Sequence, residues 1–105
     1  MIEPVQFMEK NLVVILKSEG FREEEIRSVI EKLRSAAKKT GEHRYEVDPA
    51  VLVAVLGERL SRDRLVAVLN DLLGPDMAAY AFQRYAMRGA AKAGREEVVD
   101  LEVST

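Results

Sequence analysis

The chain has 105 residues, 48% of them hydrophobic and 32% charged, with a formal net charge of −2. That length makes one domain, the apolar content excludes a disordered chain, and the slightly negative charge excludes a general DNA-coating protein. The absence of cysteine removes disulfides, thiolate nucleophiles and cysteine-based zinc sites.

Ala, Leu, Glu, Arg and Lys dominate, all good helix formers. The predicted fold is therefore mainly α: a single-domain bundle of about five helices over residues 1–95. An acidic and apolar segment follows over 96–105. A minor two-stranded β element, residues 44–47 with 98–103, is an open addition. The amides are limited to Gln6, Asn11, Asn70 and Gln83, and few thermolabile residues beside many charged ones is a thermophile profile. The apolar run Leu12-Val13-Val14-Ile15-Leu16 is too short to span a bilayer. Glu3 and Glu9 precede it where a signal peptide would carry bases. A cytoplasmic protein without a membrane partner is expected.

In chain order, Pro4 suits a first helical position, and Val5, Met8, Leu12 and Ile15 recur at helical spacing up to Gly20. Glu23, Glu24 and Glu25 open a second helix, where the macrodipole favours acids. Ile26, Val29, Ile30 and Leu33 form its stripe, Lys38 and Lys39 close it, and Gly41 stops it. Residues 42–47 alternate Tyr45 and Val47 and fit a short strand. Asp48-Pro49 caps and starts a third helix with Val51, Leu52, Val55 and Leu56 as core candidates. Ser61 caps a fourth with a core line of Leu65, Leu69, Leu72 and Leu73. Gly74-Pro75-Asp76 interrupts the chain before a fifth helix, from near Met77 to about Ala93. Residues 97–103 alternate Val99, Leu101 and Val103; three fates are open to them, pairing with 44–47, pairing with another chain, or remaining unpaired.

Catalytic chemistry finds no foothold. His43 is the only histidine and lies in a polar loop, where a solvated side chain is the expectation. Lys39-Thr40-Gly41 lacks the glycine-rich loop of a phosphate site. The chain is expected to be no enzyme and to hold no cofactor and no metal.

Charge is segregated along the chain. Residues 59–95 carry seven bases and three acids, residues 96–105 four acids and no base, and no acid occurs from Met77 to Arg95. On a helical projection Arg84, Arg88, Lys92 and Arg95 share an arc of about 80°, flanked by Tyr80 and Tyr85. Ala79, Phe82, Ala86, Ala90 and Ala93 lie opposite. This predicts a helix docked by alanine and open along its cations. Arg and Tyr together suit phosphate and base stacking. The expected partner is nucleic acid or an acidic protein surface, with the chain acting as an accessory or adaptor subunit. The alternative is a protein-interaction or self-assembly module without nucleic-acid contact, as a homo-oligomer or within a larger complex. Its interface would then be Val98, Val99, Leu101 and Val103.

Residues 54–74, with Leu60-Ser61 followed by Leu65, Leu69 and Leu72, resemble a helix-turn-helix segment. The preceding helix 22–40 and strand 44–47 resemble the start of a winged-helix domain. The resemblance spans residues 22–74 at most. It implies that Arg62, Arg64, Ala67 and Asn70 face a DNA groove, with Asp63 and Asp71 opposing phosphate. The turn is longer than the common form, and a helix is predicted after Gly74 where a winged domain has a strand.

Overall fold

The computed structural model describes residues 3–88. The chain runs β1 (Val5–Met8), α1 (Glu9–Ser18), α2 (Glu23–Ala36), β2 (Lys38–Gly41), β3 (Arg44–Val47), α3 (Pro49–Gly57) and α4 (Arg62–Leu73). A fifth helix, α5, covers 75–88 of the described residues. The fold is mainly α, with one small antiparallel sheet in the order β1-β3-β2.

The first turn of the predicted first helix is instead a strand. Val5 and Phe7 are buried while Gln6 and Met8 are exposed, the alternation of a strand with one face on the core. Val5 pairs with Val47 and Phe7 with Tyr45, and the Phe7 and Tyr45 rings stack with centroids 5.9 Å apart. Such cross-strand apolar pairs set the register. Met8 is still extended at φ −98°, and α1 begins only at Glu9. Leu12 and Leu16, fully buried, seat it on the core. Gly20 follows α1 at φ +89°, a left-handed turn that glycine adopts without strain.

In α2 the Glu25 carboxylate accepts the Arg22 backbone N–H at 3.1 Å, which satisfies one free donor of the helix start. Ile26, Val29, Ile30 and Leu33 are buried as predicted. The helix ends at Ala36, short of the expected Gly41, because Ala37 is extended (φ −103°, ψ 158°) and starts a hairpin. Lys38–Gly41 is therefore strand β2, exposed throughout. Glu42 and His43 turn the hairpin, with His43 in the left-handed region at φ +61° and an irregular register between Lys39 and Gly41. The His43 carbonyl accepts the Glu9 N–H at 2.8 Å, which ties the hairpin tip to the start of α1. Residues 44–47 thus pair with 5–8 and 38–41, and both sides of that strand are occupied; residues 98–103 lie outside the described residues.

Asp48 accepts from the Ala50 N–H at 2.9 Å and Ser61 from the Arg64 N–H at 3.4 Å. Both predicted caps start their helices. Gly74 at φ +87° separates α4 from α5. The core joins the inner face of the sheet to the helices: Val5, Phe7 and Val47 share one buried cluster with Leu12, Leu33, Leu52, Leu56, Val68, Leu69, Ala78 and Ala81. Among the described residues no helix is long and apolar enough to cross a membrane.

Candidate functional site

An apolar groove of about 820 Å³ lies between α3, α4 and α5. Its α3 wall is Val53, Ala54, Gly57 and Glu58, and its α4 wall Arg62, Leu65 and Val66. Leu60 lies between them, and α5 contributes Phe82, Tyr85 and Ala86. α3 can form such a wall because it is apolar on nearly all sides: Leu52, Val53 and Leu56 go to the core, and Ala54 remains exposed. α5 docks through Ala78 and Ala81, both buried, in its first turns. Beyond them, Val66 (39%) and Tyr85 (46%) leave large apolar surfaces open to solvent.

Charge sits only at the rim. The Glu58 carboxylate accepts from Lys32 Nζ at 2.6 Å, and this hydrogen bond holds its pKa below the ordinary 4.5. Arg62, exposed at the start of α4, makes no ion pair among the described residues.

The residues singled out for nucleic acid separate in space. Arg62 and Tyr85, from different predicted groups, line the same groove. Arg64 points elsewhere, its Nε 3.7 Å from the Glu19 carboxylate. Arg84 is half-buried, and its Nε is buried without a partner among the described residues. Arg88 is exposed. Lys92, Arg95, Val98, Val99, Leu101 and Val103 lie outside the described residues, as do Ala90 and Ala93.

The predicted docking face of α5 is corrected. Ala79 and Ala86 are exposed, and Ala78 and Ala81 are the buried pair. Arg84 and Arg88 stand three and seven positions after Ala81, on the same side of the helix. The cations therefore continue the docked stripe rather than oppose it. No family model, no curated protein and no solved structure matches this chain.

A second cluster joins the sheet to the first helices. Arg34 Nη2 donates to Glu9 at 2.6 Å, and Arg34 Nε lies 3.1 Å from both Glu9 Oε1 and the Tyr45 hydroxyl. The hydrogen bond to Glu9, then that to Tyr45, raises the Arg34 pKa. His43 Nδ1 lies 3.7 Å from Glu9. This cluster borders a cleft of about 400 Å³ between α1 and α2, lined by Lys17, Arg27, Glu23 and Glu31 among others. Its opposite charges offset one another, and its ion pairs fasten α1, α2 and the hairpin together. Among the described residues no group of three or more His, Asp or Glu is placed to hold a metal ion.

The groove itself was missed in the sequence. The usable signal was Val66, apolar yet off the core line of Leu65, Leu69 and Leu72, together with Phe82 and Tyr85 on a helix that needs only alanine to dock.

Proposed function

We propose that the protein is a non-catalytic interaction module whose contact surface is the groove between α3, α4 and α5, fitted to an apolar protein segment. The supporting observation is the groove's lining. Val66, Phe82 and Tyr85 offer apolar surface above a floor of the buried Val53, Leu60 and Leu65, a trough of the kind that receives a helix or strand of a partner through a few apolar anchors. Contiguous exposed apolar surface edged by polar residues marks protein contacts on soluble domains. An Arg and a Tyr at the edge supply the residue types that anchor such interfaces.

The test compares proteins captured from native cells by the wild type and by two variants. Val66→Asp places a charge on the groove wall and should abolish specific capture. The double variant Lys38→Glu, Lys39→Glu, on the far hairpin, should not. Equal capture by the wild type and Val66→Asp would overturn the reading.

A second reading, an accessory subunit that contacts nucleic acid, rests on the exposed Arg88 and on Lys92 and Arg95 further along the sequence. The helix-turn-helix resemblance of residues 54–74 would set α4 in a groove, with Arg62 and Arg64 exposed at its start. Against base reading by α4 stand Asp63 and Asp71, exposed on the same helix, where phosphates would be repelled. Oligonucleotide affinity measured against salt tests this: each cationic contact contributes a slope of about 0.9 on duplex DNA. Absence of binding at low salt removes direct contact.

A further inference from the structure

We infer that the groove takes a second copy of this chain. The α5 of each molecule lies in the groove of the other, antiparallel to the α5 that walls it, about a two-fold axis. The inference rests on the groove being a contact surface and names the partner. Three features of the molecule point to it.

The first is the state of α5. The helix docks through Ala78 and Ala81, and no residue from Phe82 to Arg88 is buried. This stretch stays helical while Tyr85 and Met87 stand about half exposed. A short helical stretch in water draws most of its stability from packing of an apolar face. The uncovered helix and the groove are also one surface, since Phe82, Tyr85 and Ala86 are the groove's α5 wall.

The second is shape. In a two-fold contact one patch must fit itself, each residue meeting its counterpart's neighbour in both directions. Phe82 and Ala86 are four positions apart, lie on one side of α5 and both line the groove. Antiparallel α5 helices crossing beside them set Phe82 against the partner's Ala86 and Ala86 against the partner's Phe82, a large side chain against a small one twice. Across the trough, Ala54 and Gly57 of α3 are exposed and small, which lets a helix come close. Val66, exposed on α4, is the apolar side chain that the partner's Tyr85 meets.

The third is charge. The groove's lining holds one acid and one base, Glu58 just after α3 and Arg62 at the start of α4. Both are exposed, and the Glu58 side chain stays 52% exposed although its Oε2 accepts from Lys32. A two-fold axis brings the acid of each copy to the base of the other and makes the pair twice. Arg84 does not oppose this contact: it is two positions from both Phe82 and Ala86 and so faces away from them.

The test is self-association of the full chain, followed by sedimentation equilibrium up to about 1 mM. The wild type should form a dimer and Val66→Asp a monomer. Glu58→Arg leaves two bases on each rim and Arg62→Glu two acids, so each variant alone should associate at least about tenfold more weakly. All three variants should keep the circular dichroism of the wild type. Mixed in equal amounts, the two charge variants should associate again, because the contact then sets two bases of one chain against two acids of the other. A monomeric wild type would overturn the inference. So would a dimer that Val66→Asp or the single reversals leave intact, or a mixture that associates no better than its components. A monomeric wild type whose capture of other proteins still depends on Val66 would sink the second copy and spare the groove reading. Association and capture both indifferent to Val66→Asp would sink the two together.

Discussion

The Tyr80 hydroxyl binds both backbone groups of Glu3: it accepts from the Glu3 N–H at 3.0 Å and donates to the Glu3 carbonyl at 2.9 Å. One side chain on α5 thereby fastens the entry to β1, and the first turns of α5, with Ala78 and Ala81 buried, hold against the body. Tyr80→Phe removes both hydrogen bonds and keeps the ring. Since the pair is exposed, the expected cost is about 0.5–1.5 kcal/mol in urea unfolding. An unchanged midpoint would mean that water replaces the contact in full.

Core and groove should respond differently to truncation. Leu69 is fully buried, and Leu69→Ala should lower stability by about 2–5 kcal/mol through lost transfer energy and a residual cavity. Val66→Ala, one helical turn away on the groove wall, should stay within about 0.5 kcal/mol. Denaturant midpoints measured side by side check the ranking.

The two helix caps should also rank. Asp48→Ala loses a 2.9 Å bond to the Ala50 N–H at a half-buried position and should cost about 1–2 kcal/mol. Ser61→Ala loses a longer, exposed bond of 3.4 Å and should cost about 0.5 kcal/mol. Thermal melts of the two variants would show the larger shift for Asp48.

The ion pair at the groove rim predicts a pH dependence. The Lys32 hydrogen bond lowers the Glu58 pKa from 4.5, so the folded state favours the carboxylate. Its stabilisation is present above the unfolded pKa and is lost as pH falls through the lower, folded value. The wild type should therefore exceed Glu58→Gln in stability at neutral pH, with the difference closing below about pH 4. Both groups are exposed, so the difference should be small and shrink with salt. Denaturation of both proteins across that range, at low and high ionic strength, is the measurement.

The sequence made some of this fold visible and concealed the rest for identifiable reasons. Asp48, Ser61, Gly20 and Gly74 are local devices, and each works at the place predicted for it. Val5, Met8, Leu12 and Ile15 fit helical spacing as well as Val5 and Phe7 fit a strand, and only pairing with Tyr45 and Val47 decides between them. β2 gave no periodic signal because all four of its side chains are exposed; two lysines before Thr40-Gly41 read equally well as a helix end. On α5, alanine occurs on every side, so its position could not tell which face would dock. Ala78 and Ala81 do so, and Phe82 and Tyr85 are left at the groove. The groove draws on three helices, and a distant meeting such as Arg62 with Tyr85 leaves no trace in local spacing.

β2 borders the sheet, with β3 on one side and no strand described on the other, so its outer backbone donors and acceptors form a template on which a foreign strand could grow. Lys38 and Lys39 place two positive charges on that border, and an identical border approaching it would meet its own charge. These lysines thus act as gatekeepers against aggregation. Replacing both with threonine would leave each protomer folded and make its sheet prone to lengthen from molecule to molecule.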